Sequence, residues 1–370
     1  MESQNNNLFK DIDEEDTSSG EIIQKPFSPS DISISTPPMN MGDLIDMIEN
    51  GWINFGTDYQ REENLWSHEQ QSRLIESVLL GLRLPAFYFE VVEKRKWNII
   101  DGLQRCCAIR NFCVDLSLSL IGLEFLQDKF EGKLYSEFPF EIKRDIRMLP
   151  ITVNLLDKGT PNDVKYILFK RLNTGGIELS AQEIRNAVYS GIAIDSIAKM
   201  AKDPAFLEAT EHKIPTKRKQ DMDFISRFVA FYLTDYNDYY PDLEKFINDA
   251  MKKINEGKVD LDTMKMDFHK SLLRCTRIFG NRAFRKQTKI NENKRPLNKA
   301  IFEVMTVLFS KLSEQETEKI VKSKADFAAD FWNTIKENPT YNNSFSGGTG
   351  RKDSVKTRFS ITQKIINKYI

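Results

Sequence analysis

The spacing of apolar and polar residues changes character at about residue 180. Before that point two periodicities alternate. Met41, Leu44, Ile45 and Ile48 recur at helical spacing. Ser67-His68-Glu69-Gln70 has the form of a capping box, in which the Ser and Gln side chains each satisfy a backbone N–H at the start of a helix. It opens a predicted helix with Leu74, Ile75, Val78 and Leu79 on its inner side, stopping at Gly81. Phe87 to Val92 and Trp97 to Ile100 are rich in β-favouring residues and flank the charged turn Glu93 to Lys96, which predicts a hairpin. Asp101-Gly102 ends the second run, and Gln104 to Phe112 returns to helical spacing, giving a strand, a tight turn and a helix. A third strand is expected at Ile151 to Leu155. A helix is expected from Pro161 to Leu172, closed by Asn173-Thr174-Gly175-Gly176. Ser180-Ala181-Gln182-Glu183 is a second capping box.

Beyond Ser180 the strand period nearly vanishes. Ile184 and Val188, Phe224, Phe228 and Phe231, Leu272 and Ile278, Ile301, Val304, Met305 and Leu308, and Phe327 and Phe331 all follow a period near 3.6. Tyr341 to Arg351, with Ser346-Gly347-Gly348-Thr349-Gly350, reads as a loop before a closing helix, Val355 to Tyr369. No repeat of fixed length appears. The predicted fold class is α+β: a small mixed lobe packed on a predominantly α-helical C-terminal lobe.

Charge refines the picture at one end. Residues 1–47 hold ten acids and two bases, so the rest of a chain with net charge −1 carries +7. Residues 1–38 combine that acidity with Asn5-Asn6-Asn7 and Pro37-Pro38, and lack the apolar surface needed to offset ordering entropy; they are read as an acidic disordered tail. Domain boundaries follow at 39–190 and 191–370. No positively charged leader opens the sequence. The longest uncharged apolar run, Leu116 to Leu123, is far short of a bilayer span, so a cytoplasmic, membrane-free protein is expected. Cys106, Cys107, Cys113 and Cys275 form no Cys-x-x-Cys pair and are read as reduced thiols.

Chemistry concentrates at Ile99-Ile100-Asp101-Gly102-Leu103-Gln104-Arg105. Glycine lets the backbone turn sharply off a strand, leaving helix N–H groups available to an anion. Arg105 adds a planar, permanently charged fork, and Asp101 is placed to bind a metal or orient a ribose or water. Plainer roles stand beside these: Asp101 as an N-cap and Arg105 as a surface residue. Two further segments accompany the turn: Asp58-Tyr59-Gln60-Arg61 followed by Trp66-Ser67, and Phe169 to Glu183 with Arg171, Asn173, Gly175 and Gly176.

In order and spacing these three motifs resemble the N-terminal domain of GmrSD-type restriction endonucleases, within the ParB and sulfiredoxin superfamily. The likeness is strong over Leu44 to Ser190. It is looser beyond, where Arg295-Pro296-Leu297 and Ser346-Gly347-Gly348-Thr349 look like late landmarks of stand-alone members. The family pattern reads Asp-Gly-Gln-Gln-Arg, and here Leu103 replaces the first Gln. The resemblance implies a ParB/sulfiredoxin-like first lobe. It implies a nucleotide-binding component of an anti-phage or restriction-type system acting on or near DNA, with NTP hydrolysis open, NTP with Mg²⁺ as the cofactor, and a nuclease or other defence protein as partner. Carried over by residue, Asp101, Gln104 and Arg105 are the catalytic candidates, and Tyr59, Gln60, Arg61, Gly102, Arg105, Arg171, Asn173 and Gly176 the nucleotide or phosphate ligands. Alternatives are a non-enzymatic DNA-binding or adaptor protein whose pocket holds a phosphate or regulatory nucleotide, and a ParB-type nuclease. Homo-oligomerisation stays open.

Two related activities are disfavoured by residue type. The slot of the sulfiredoxin nucleophile holds Leu103, and the three histidines, His68, His212 and His269, are scattered, so no fused His-Asn-His nuclease is expected. No metal site is assigned. Lys270 to Lys299 carries ten bases against one acid, Glu292, interleaved with Phe279 and Phe284. Arg274, Arg277, Arg282, Arg285, Lys286 and Lys289 are therefore candidates for nucleic-acid contact, with a solvated helix face as the alternative.

Overall fold

The computed structural model describes residues 11–13, 16, 33–55, 66–172, 179–287 and 293–370. It sorts them into two units, one within 26–178 and the other formed by 179–370 together with the described residues of 1–25. The class is α+β.

The first unit is built on a mixed sheet. Its strands are β1 (Ile34–Ser35), β2 (Pro38–Asn40), β3 (Ile53–Asn54), β4 (Phe87–Glu93), β5 (Lys96–Asp101) and β6 (Pro150–Leu156), in the order β1-β6-β4-β5-β3 with β2 also beside β6. The expected hairpin is present: β4 and β5 are antiparallel, with Phe89 opposite Ile99 and Tyr88 opposite Asp101 across a bulge. β4 and β6 run parallel, with Phe87 opposite Val153. Successive strand side chains face opposite ways, so Phe87, Phe89, Val91, Trp97, Ile99, Val153 and Leu155 share one face. There they join the apolar sides of α1 (Met41–Glu49), α2 (His68–Leu79) and α3 (Leu103–Ile109) in a single core. Helix α3 runs on into a π-helical turn, Arg110–Val114. Helices α4 (Gln127–Phe130), α5 (Phe140–Met148) and α6 (Asn162–Leu172) complete the unit.

The capping boxes form as the sequence predicts. Ser67 Oγ accepts from Gln70 N at 3.2 Å, and Gln70 Oε1 accepts from Ser67 N at 2.9 Å. Glu76 has no such local signature. It is buried, and its carboxylate accepts three successive backbone N–H groups, from Glu124 at 3.0 Å, Phe125 at 2.7 Å and Leu126 at 2.9 Å. Burial favours the neutral acid, but these bonds and nearby Arg73 outweigh it and hold the carboxyl below its ordinary range.

The second unit is helical: α7 (Ala181–Val188), α8 (Ile192–Met200), α9 (Pro204–Ala209), α10 (Gln220–Leu233), α11 (Leu243–Asn255), α12 (Leu261–Phe279), α13 (Lys299–Ser310), α14 (Glu314–Lys322), α15 (Lys324–Glu337), α16 (Pro339–Asn343) and α17 (Lys352–Asn367). Helix α13 is enclosed on all sides. Phe302 meets the rings of Phe206, Phe224, Phe268 and Phe284. Glu303, fully buried, accepts from Arg358 Nε at 2.7 Å and faces Arg227. The sequence places α7 in the first domain. Its Arg185, however, bonds Asn248 and Asp223 and its Gln182 accepts from Ser226, which binds α7 to the helical unit.

Two stretches of residues 1–38 depart from the expected tail. Ile34 and Ser35 pair with Leu156 and Leu155, and Pro38 pairs with Thr152. Ile12 is buried and lies parallel to Leu297. In both places the hydrogen-bonding partner comes from a distant edge that local composition does not reveal.

Candidate functional site

Strand β5 ends at Asp101 and the chain turns through Gly102, at φ 102° and ψ 14°, into α3. Glycine is required there twice over. The left-handed backbone disfavours any side chain, and a Cβ would meet the Phe87 ring at 2.7 Å. Gly102, not Asp101, is the N-cap residue, so no side chain caps α3.

Arg105 lies one turn into the helix and points inward, with a side chain only 10% exposed. Nη1 donates to Pro85 O, while Nη2 donates to Ala86 O at 3.3 Å and to Asp101 Oδ2 at 2.8 Å. The guanidinium sits 4.6 Å from the centre of the Phe87 ring. It fastens the approach to β4 onto the exit from β5. The structure thus places Arg105 neither as a surface residue nor as an open fork, and Asp101 as its counter-ion rather than as a cap.

Gln104 joins a polar chain. Its Oε1 accepts from Trp66 N at 3.3 Å, Trp66 O accepts from Gln71 Nε2 at 3.1 Å, and Gln71 Oε1 accepts from Asn111 Nδ2 at 2.9 Å. The residue that follows the second motif is thereby fixed beside α3. Tyr59, Gln60 and Arg61 themselves lie outside the described residues, as do Asn173 and Gly176. Arg171 is exposed in the last turn of α6. Leu103 is partly buried in the slot of the usual Gln. Cys106 is sealed in the core, where burial above all pushes its thiol up, away from the reactive thiolate.

The sheet face opposite the core carries polar residues not singled out from sequence. Lys165 of α6 pairs with Glu90 of β4, both largely buried. Asn54 donates to Asn98 at 2.9 Å and Thr36 to Asn154 at 2.8 Å. The signal was the alternation in Phe87-Tyr88-Phe89-Glu90, where period two sends Glu90 away from the core.

For NTP with Mg²⁺ the fit is uneven. The uncapped start of α3 and Gln104 suit an anion. Asp101 does not suit a cation while Arg105 holds it, and among the described residues no three His, Cys, Asp or Glu side chains gather as a metal site.

The basic run of the helical unit is not one open stripe. Arg274 is buried, with Nη1 on Phe309 O at 2.8 Å and Nη2 near Glu314. Arg285 is also buried, donating to Arg295 O and pairing with Glu211 at 2.7 Å. Arg277 is exposed but paired with Glu314 and Glu318. Lys286 is half-buried and donates to Ser346 Oγ at 2.8 Å. Arg282 lies in a 3-10 turn, and Lys289 is outside the described residues. Carbonyls and acids distant in sequence take up the charges of Arg274, Arg277 and Arg285. Among the described residues no helix is long and apolar enough to cross a membrane.

Residues 41–190 match the family described as GmrSD restriction endonuclease, N-terminal domain. No curated protein and no solved structure matches the chain.

Proposed function

Because residues 41–190 match the N-terminal domain family of the GmrSD restriction endonucleases, we propose that this chain is a component of a restriction-type defence system acting on or near DNA. In this reading its first unit is a nucleotide-binding module that senses rather than turns over its ligand. The observation that carries the reading is the family domain itself, which contains all three sequence motifs. The mutual engagement of Asp101 and Arg105 supports binding over hydrolysis, since Arg105 competes for the carboxylate that would position Mg²⁺ or an attacking water. In this proposal Gln104 and the start of α3 contact the phosphates, and Arg105 keeps the turn in shape as a positioning residue. DNA cleavage belongs to a partner.

Calorimetric titration of the full chain with ATP, GTP and CTP, each with Mg²⁺, tests the reading when paired with a phosphate-release assay. Saturable binding of one nucleotide without release is expected, weakened about tenfold by Gln104→Ala, the equivalent of one hydrogen bond to a charged group. Steady phosphate release lost on Asp101→Asn would replace the sensor with a hydrolase. Absence of binding to all three would remove the nucleotide from the proposal.

A further inference from the structure

The two late landmarks of the sequence, Arg295-Pro296-Leu297 and Ser346-Gly347-Gly348-Thr349, meet in the helical unit, and Asp11, Ile12, Asp13 and Asp16 lie on them. The contacts are mainly backbone. Leu297 N donates to Asp11 O at 2.7 Å and Asp13 N to Leu297 O at 2.8 Å, the pattern of an added parallel strand. Asp16 N donates to Ser346 O at 3.1 Å, and Thr349 donates to Asp16 O from N at 2.8 Å and from Oγ1 at 3.2 Å. Between these anchors the Ile12 side chain is buried, while Asp11 faces Lys213 at 3.4 Å and Asp13 accepts from Asn298 Nδ2 at 3.2 Å.

The surface under the segment is fixed from behind, by contacts that do not involve it. Asn298 caps α13 through Ile301 N and also donates to Phe345 O at 2.8 Å. Arg358, fully buried, donates to Thr349 O at 2.8 Å, and Tyr239 Oη donates to Gly350 O at 2.7 Å. Gly348 takes φ 60° ahead of Thr349, and a Cβ there would strike the Arg351 side chain at 2.7 Å. The result is a preformed row of backbone donors and acceptors, a slot for one aliphatic side chain, and Lys213, Asn298 and Lys286 beside the flanking carboxylates. These are the elements of peptide recognition by strand addition, in which main-chain bonds give affinity and a side-chain slot gives selectivity.

The geometry points to a peptide-docking groove between Leu297 and Thr349, specific for an extended segment with an aliphatic residue between two carboxylates, and filled in cis by residues 11–13 and Asp16 until a partner protein presents a segment of the same kind. The inference rests on the helical unit and stands independently of nucleotide binding. A tethered segment competes as an intramolecular ligand, so the groove admits a partner strand only when that strand binds well or the tethered one is withdrawn.

The test is fluorescence anisotropy with a labelled peptide of residues 9–18, titrated with the full wild-type chain and with full-length Ile12→Asp and Ile12→Ala chains. Both variants are expected to bind the peptide saturably, and the wild-type chain at least tenfold more weakly. A peptide N-methylated at Asp13, which cannot donate to Leu297 O, should lose at least tenfold in affinity, and a scrambled peptide of equal charge should not bind. Ile12→Ala keeps the experiment interpretable if Ile12→Asp fails to fold. Equal affinity of all three chains, or binding of the scrambled peptide, overturns the proposal. Displacement by single-stranded DNA but not by unlabelled peptide also overturns it and reassigns the surface to phosphate backbones.

Discussion

Arg105→Ala should unfasten the first unit rather than simply strip a charge from a binding surface. The substitution removes donors to Pro85 O, Ala86 O and Asp101 and the cation over Phe87. The two carbonyl bonds are worth about 0.5–1.5 kcal/mol each. Asp101 is 29% exposed, so water recovers part of its loss and the ion pair counts for only about 1 kcal/mol. The ring contact adds about 0.5–1 kcal/mol. The expected loss is therefore about 2.5–5 kcal/mol, or roughly 5–20 °C in melting temperature for a unit of this size. Arg105→Lys, which keeps the charge but cannot span both carbonyls and the carboxylate, should lose about half as much. Tryptophan fluorescence suits the assay, because Trp52, Trp66 and Trp97 lie in the first unit and Trp332 alone reports on the helical one. Unchanged unfolding of Arg105→Ala, with nucleotide affinity lost, would refute the clamp and restore the open fork.

Gly102→Ala should destabilise the same unit by about 2–4 kcal/mol, since it adds a clash with Phe87 to backbone strain; urea unfolding reads it. Glu76 links stability to pH. Its folded-state carboxyl titrates below its ordinary value of 4.5, so its contribution is complete above that value and fades as acid titrates the folded group. Glu76→Gln should lose about 1–3 kcal/mol at pH 7 and flatten the fall in stability between pH 5 and 3, measured by denaturation across that range. Cys106, Cys107 and Cys275, all buried, should resist thiol reagents in the native state, with labelling only on unfolding; rapid labelling of these three at about pH 7.5 would contradict the burial.

The local features of this fold are written plainly in its sequence. Capping boxes depend on residues three apart, and the Asp101-Gly102 turn is legible because a left-handed backbone selects glycine. The orientation of Arg105 is not legible: its partners are main-chain carbonyls 20 and 19 residues away, and a carbonyl carries no side-chain signature. Arg274 and Arg285 read as a basic stripe for the same reason, since Phe309 O, Arg295 O, Glu211 and Glu314 reach them only through tertiary packing. Ile34 and Ser35 form too short a strand to register as a period, and the edge of β6 decides their conformation.

The anchoring of Asp16 also sets a schedule. Its partner Thr349 lies 333 residues further along the chain, so at roughly 5–20 residues per second a ribosome needs about 17–67 s to supply it. The sheet of the first unit, whose strands all precede residue 157, has its whole sequence available long before that. During synthesis the groove does not yet exist and the acidic segment has nowhere to dock. Its closure is a late event in the birth of the molecule.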